Sequence, residues 1–205
     1  VVAALRAHVE AARVVEMACW RLTVLCEQFG GSQAAAEAGA LEAAVAAMWA
    51  HPQVAAVQRQ GCRVLASMCF GDDAAARRQR AVAVGAIEEV VAAMRAHLQV
   101  ELVQEYGCCA LRNVCWGCDA AVPARRQRAA GAGTLEVLVT AMQAHLQAEN
   151  VQGYGCGALI NMCLGEDAAT LARRQRAAGA GALEAVAAAM WAHPQAAGVQ
   201  EQGDA

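Results

Sequence analysis

The chain predicts an all-α fold, a solenoid built from three-helix repeats, and three observations carry that prediction. An alanine-histidine pair recurs with its histidine at 8, 51, 97, 145 and 193, in steps of 43, 46, 48 and 48 residues. Eleven residues after each of the first four histidines comes a cysteine, at 19, 62, 108 and 156, and Asp204 takes that place after the fifth. Glycines at 39, 85, 133 and 181 each stand twelve residues before a histidine. The intervals carry helical patterning, and helical units of this length stack so that neighbours bury one another's apolar faces.

Taken in order, residues 1–8 align with 90–97, so the chain opens inside the second helix of a unit. Residues 14–28 follow as a third helix, the first of four copies that recur at 56–71, 102–117 and 150–165. In the copy at 102–117, Val103, Gly107, Cys108, Leu111, Val114 and Cys115 fall on one face of a 3.6-residue period. Glu105, Arg112 and Asn113 fall on the other, and Gly117 ends the helix. Each first helix follows an acidic cap, Asp73, Asp119 or Asp167, and carries Arg-Arg-Gln-Arg at 77–80, 125–128 and 173–176. Two extra residues, with Pro123 in one copy, lengthen its start in the later units, and Gly85, Gly133 or Gly181 breaks it.

The second helix runs over about 87–97, with Ile87, Val90, Val91 and Met94 as its apolar stripe, matched by Leu135, Leu138, Val139 and Met142. His-Pro-Gln or His-Leu-Gln ends it. Gly61, Gly107, Gly155 and Gly203 sit inside third helices, where glycine costs about 1 kcal/mol against alanine. The compensation expected is close approach of a neighbouring helix. The units are approximately 1–31, 32–71, 72–117, 118–165 and 166–205 in a single domain, about four repeats, incomplete at both ends. Neither end carries the polar capping repeat that solenoids need, and there is no initiator methionine, so the sequence reads as part of a longer protein or as a chain whose ends neighbours cover.

Composition excludes several classes of function. At 205 residues and 58% hydrophobic the chain has core enough to fold without metals or disulfides, and a net charge of -3 does not suit a nucleic-acid binder. The pairs Cys19/Cys26, Cys62/Cys69, Cys108/Cys115 and Cys156/Cys163 are each seven apart. On a helix that is about 10 Å, beyond disulfide reach, so these read as small buried apolar residues in a reducing compartment. That places the protein inside the cell, in the cytoplasm or nucleus, with an organelle left open because a targeting segment could precede residue 1. No apolar run is long enough for a transmembrane helix.

The segment Arg-Gln-Arg-Ala-Val-Ala-Val-Gly-Ala-Ile at 78–87, followed by Val-Gln-Glu-Tyr-Gly-Cys-Cys-Ala-Leu-Arg-Asn-Val-Cys at 103–115, closely resembles the armadillo repeat of importin alpha and beta-catenin. The resemblance covers essentially the whole chain. It implies a right-handed superhelix in which third helices line a concave groove that binds extended peptides or other proteins, with nothing catalytic. In that family an asparagine on the third helix bonds the peptide backbone and a tryptophan stands four residues before it. Here the asparagine is present as Asn113 and Asn161 but is Val24 and Ser67 elsewhere, and the tryptophan position holds Trp20, Arg63, Cys109 and Gly157. The paired ladder is broken, which argues against recognition of basic import peptides.

Helical spacing names the rest of that face: Glu16, Trp20 and Val24; Arg59, Arg63, Ser67 and Phe70; Glu105, Cys109, Asn113 and Trp116; Gly153, Gly157, Asn161 and Leu164. Arg59 and Arg63 suit a partner carboxylate, while Phe70 and Trp116 are either apolar anchors or covers for a helix end. Two edges add candidates. Arg78, Arg126 and Arg174, within the Arg-Arg-Gln-Arg copies, form either a solvated face or a basic stripe for an acidic protein segment or anionic lipid. Trp49 and Trp191 occupy a position that is Arg6, Arg95 and Gln143 in other units, so it is exposed, and tryptophan there either packs along its own helix, the default, or is a candidate partner contact.

The remaining motifs read as structural. Equivalent histidines in stacked repeats stand about 8 to 10 Å apart, too far to share a metal ion, and each suits the last turn of its helix, where it can bond carbonyls. Cys115-Trp-Gly-Cys118 ends a helix rather than starting one, so it lacks the helix N-terminus that stabilises a redox thiolate. No metal, cofactor or catalytic set is expected. The function expected is a non-catalytic protein-binding module, with an architectural subunit of a large assembly, held by its flanks, as the alternative.

Overall fold

The computed structural model describes residues 1–28 and 30–203; Asp204, in the register of the repeated cysteine, lies outside them. They form fourteen α-helices and no strand. In chain order these are α1 (Val2–Ala7), α2 (Ala12–Cys26), α3 (Gly31–Glu37), α4 (Ala40–Ala50), α5 (Ala55–Met68), α6 (Ala75–Ala83), α7 (Ala86–Ala96) and α8 (Glu101–Cys115). Then follow α9 (Val122–Ala132), α10 (Thr134–Ala144), α11 (Glu149–Cys163), α12 (Ala168–Gly179), α13 (Ala182–Ala192) and α14 (Ala197–Gly203). Among the described residues no helix is long and apolar enough to cross a membrane.

Helices of like position pack on one another. The third helices run α2, α5, α8, α11, α14, each against the next, and the second helices α1, α4, α7, α10, α13 do the same. The core lies between these two rows. Leu41, Ile87 and Leu135, equivalent residues on α4, α7 and α10, are at most 1% exposed, each contributing about 1.5–3 kcal/mol of burial. Gly39, Gly85, Gly133 and Gly181 start the second helices at φ between 82° and 87°, a left-handed backbone that a side chain would strain. The glycines inside the third helices have a different cause. A methyl on Gly107 would come within 2.6 Å of Met94 Cγ, and Gly61 and Gly155 face Met48 and Met142 in the same way.

The buried cysteines occupy the seam between helices. Burial pushes the thiols of Cys19, Cys62, Cys69 and Cys115 up to about 12, so they stay protonated and apolar at neutral pH. All ten cysteines are free.

Three expectations change against the structure. The histidines bond carbonyls, but those of the preceding unit rather than of their own helix. His51 Nε2 meets Val9 O at 2.6 Å, His97 meets Pro52 O at 2.8 Å, His145 meets Leu98 O at 2.6 Å and His193 meets Leu146 O at 2.7 Å. Of the three acidic caps only Asp167 caps a helix, accepting from Thr170 N at 2.6 Å. Asp73 and Asp119 grip Arg77 and Arg125, and Asp119 also accepts from Ala121 N at 3.0 Å just ahead of α9.

The third correction concerns Arg-Arg-Gln-Arg, whose second arginine is buried in the first two copies, where the sequence predicts a solvated face or an open basic stripe. Arg78 and Arg126 are 2% and 8% exposed. Arg78 Nε donates to Cys69 O at the end of α5 and to Asn113 O near the end of α8, at 3.0 and 2.9 Å. Arg126 repeats the arrangement one unit on, reaching Cys115 O at 3.2 Å and Leu164 O at 2.9 Å. Each thus ties the C-termini of two consecutive third helices, where unpaired carbonyls and the negative end of the helix dipole attract a cation. The last arginine of each motif is also committed: Arg80, Arg128 and Arg176 pair with Glu42, Glu88 and Glu136 of the preceding unit. Arg174 alone of the three edge arginines is exposed, and it too bonds helix-end carbonyls, Cys163 O at 2.9 Å and Gly165 O at 3.0 Å.

Candidate functional site

The face shared by α5, α8 and α11 carries a cavity of about 540 Å³. Phe70 stands at its rim, 64% exposed just beyond the end of α5. Arg63 crosses from α5 to α8, its guanidinium carbon 5.6 Å from the centre of the Tyr106 ring. Arg112 on α8 reaches α11 in the same sense, 5.2 Å from the Tyr154 ring. Gly157 admits that reach, since a methyl there would lie 2.8 Å from Arg112 Cδ. Two arginine-tyrosine stacks therefore bridge neighbouring helices and line one concavity, each stack attracting a cation to the face of a π-system.

Charge in the cavity is unevenly compensated. Arg63 pairs with Glu27 at 3.3 Å, across half-open surface. Arg112 has no carboxylate partner among the described residues, and its guanidinium lines the cavity beside Cys109 and Tyr154. Burial is the main reason that the Tyr154 hydroxyl titrates above its usual range, and it pushes the Cys109 thiol up to about 11. Neither group ionises near neutrality, so the chemistry on offer is stacking, hydrogen bonding and one uncommitted positive charge.

The structure distributes the residues expected of this face unequally. Arg63, Phe70 and Asn113 line the cavity together. Arg59 is turned into an ion pair with Glu16 at 3.2 Å on the neighbouring helix α2. Trp20 is 42% exposed on α2, outside the cavity, and Glu105 is half-buried on α8. Trp116, also 42% exposed, lies over Arg78 at 4.7 Å, so it covers the buried guanidinium at the helix end. Asn113 and Asn161 are 5% and 7% exposed, and their amides are spent within the chain: Nδ2 donates to Ala66 O and to Arg112 O respectively, each at 2.9 Å. On the outer edge Trp49 and Trp191 are 75% and 87% exposed.

Sequence reasoning missed Tyr106, Tyr154 and the stacking role of Arg112. The signal was present, because Tyr-Gly-Cys recurs at 106–108 and 154–156 and each tyrosine stands seven residues before an asparagine, two helical turns along the same face. It also missed Gln58, Gln104, Gln152 and Gln200, whose Nε2 groups each donate to two carbonyls at the end of the preceding second helix. Gln104, for example, reaches Met94 O and His97 O, both at 3.0 Å. No protein-family model, no curated protein and no solved structure matches the chain.

Proposed function

We propose that the protein is a non-catalytic protein-interaction module, a right-handed solenoid of the armadillo type, that holds a segment of a partner protein on the face of its third helices. The observation that carries this reading is the cavity lined by Arg63, Phe70, Tyr106, Arg112 and Tyr154. It combines an exposed aromatic, two stacked arginines and an uncompensated charge, the residue types that dominate protein interfaces. The buried amides of Asn113 and Asn161 take no part. Ten free cysteines, most of them buried, suit a reducing compartment inside the cell.

A second reading, an architectural subunit held by its flanks, draws on a different place. An apolar cavity of about 700 Å³ lies along α11, α12 and α13, and Leu183 there is 71% exposed although its equivalents Leu41, Ile87 and Leu135 are buried. Affinity capture with the triple variant Arg63→Ala, Tyr106→Ala, Arg112→Ala separates the two. A groove binder loses its partner by at least about ten-fold while circular dichroism shows an unchanged fold. Retention of the partner, with loss on Leu183→Glu, would sink the groove reading in favour of the flank.

A further inference from the structure

Four of the five second helices begin at a left-handed glycine with a glutamate three residues on, and in two places the preceding unit sends an arginine into the space under that glycine. Arg6 donates to Gly39 O at 3.2 Å, and a methyl on Gly39 would overlap its guanidinium. Arg95 donates to Ala132 O at 3.4 Å, and a methyl on Gly133 would overlap it likewise. At Gly181 the equivalent residue is Gln143, whose Nε2 comes within 3.8 Å of such a methyl. Two of the four positions are thus filled by a guanidinium from the same chain, and at the third an amide stands at its edge.

The fourth is different. In the unit before Gly85 the arginine position holds Trp49, whose indole cannot make that reach and stands 75% exposed. Around Gly85 only Glu88 Oε2, at 3.9 Å, comes near the place of a methyl. A cavity of about 540 Å³ opens here, lined by Glu42, Trp49, Gly85, Glu88 and Glu89 and by Arg128, which already pairs with Glu88 at 2.7 Å. Glu89 is itself particular to this unit. Its equivalents are Ala43, Val137 and Ala185, so a second carboxylate appears only where the arginine is missing. Burial, with Glu88 adding to it, pushes the Glu89 carboxyl above its usual range, and it forms no ion pair among the described residues.

We propose that the socket under Gly85 binds the guanidinium of an arginine side chain presented by a partner protein. The chain itself supplies the template twice, in Arg6 under Gly39 and Arg95 under Gly133. The carbonyls of Val84 and Gly85 are the acceptors equivalent to those used there, Glu89 supplies the unpaired opposing charge, and the Trp49 ring offers a π-face to a planar cation. The Glu88–Arg128 pair stands beside the socket as the Glu42–Arg80 and Glu136–Arg176 pairs stand beside Arg6 and Arg95. Lysine is a poorer fit, because its ammonium lacks the planar fork that matches the template and the flat face that stacks on an indole. The site lies on the second helices and is independent of the groove on the third, so the failure of either leaves the other standing.

Titration of the full chain with N-acetyl-L-arginine methylamide, followed by the indole and amide resonances of Trp49 and Gly85, tests this. Saturable shifts are expected, with the lysine analogue about five-fold weaker or more and free L-arginine no tighter than the amide. Trp49→Arg should abolish the response by refilling the socket from within, as Arg6 and Arg95 do, while the thermal melt is unchanged or raised. Glu89→Gln should weaken binding by about five-fold. Absence of saturation, an equal response to lysine, a response surviving Trp49→Arg, or a clear preference for the free amino acid would each overturn the proposal.

Discussion

Arg78 and Arg126 on one side, Arg63 and Arg112 on the other, are the same residue with opposite fates. The first pair enters the molecule at the ends of third helices, where several carbonyls converge on a site that water does not reach. The second pair crosses the open face of the same helices, where an aromatic ring, solvent and, for Arg63, the half-exposed Glu27 receive it. Charge in a sequence does not by itself distinguish the two. What decides is whether the stem of the side chain points at a helix C-terminus, where a guanidinium can satisfy more orphaned carbonyls than any other side chain.

The sharpest way to break this comparison is Arg126→Ala. It strips donors from Cys115 O and Leu164 O, and leaving such buried groups unpaired costs about 3 kcal/mol. Arg126→Lys should recover less than half of that, because one ammonium cannot span two helix ends; urea melts would show it. Asn113→Ala comes next, with a loss of about 1 to 2 kcal/mol from the amide bonded to Ala66 O. A partner-binding assay should then show no effect beyond that of stability.

A smaller effect distinguishes the buried arginines by pH. Hydrogen bonds from Arg125, ahead of all other causes, hold the Asp119 carboxyl down at about 2, against about 3.9 for an unstructured chain. The folded value is the lower one, so the contribution of this pair is present above about pH 4 and lost as pH falls through 2. Asp119→Asn should therefore lower stability at neutral pH, change it little near pH 2, and so flatten the acid limb of the profile, measured by melts from pH 7 downward. Smallest of all should be Arg63→Ala. Its exposed ion pair and stacking contribute under about 1 kcal/mol to folding, so a larger loss of stability than Asn113→Ala would show that the open face is structural after all.

The helices and the stacking registers were legible because glycine, histidine and cysteine recur at fixed offsets, and each of those residues answers a backbone or packing demand that every unit repeats. Exposure at the position of Trp49 was legible for the same reason, since a site that accepts arginine and glutamine elsewhere faces water. The Arg-Arg-Gln-Arg motif was not. Its charge suggested solvent, and nothing local to residues 77–80 announces that the end of α5 will lie beneath them. The asparagines misled in a related way, because a side-chain amide satisfies a neighbouring helix as readily as a bound peptide. Tyr106 and Tyr154 escaped notice because their function depends on Arg63 and Arg112, which lie one unit earlier, and a contact between units is written in two places at once.

The notches that Gly61, Gly107 and Gly155 cut for Met48, Met94 and Met142 carry a consequence for the protein's history. Each thioether sits so close to bare backbone that a methyl on the glycine would overlap it. In the folded chain that seclusion shields the sulfur, but during synthesis or a transient unfolding it is open to oxidants. A sulfoxide acquired then is polar and larger, and it could not re-enter its notch, so the damage is sorted by exclusion from the native state. A sample's refoldable fraction would serve as a record of the oxidative stress that its chains met before they closed.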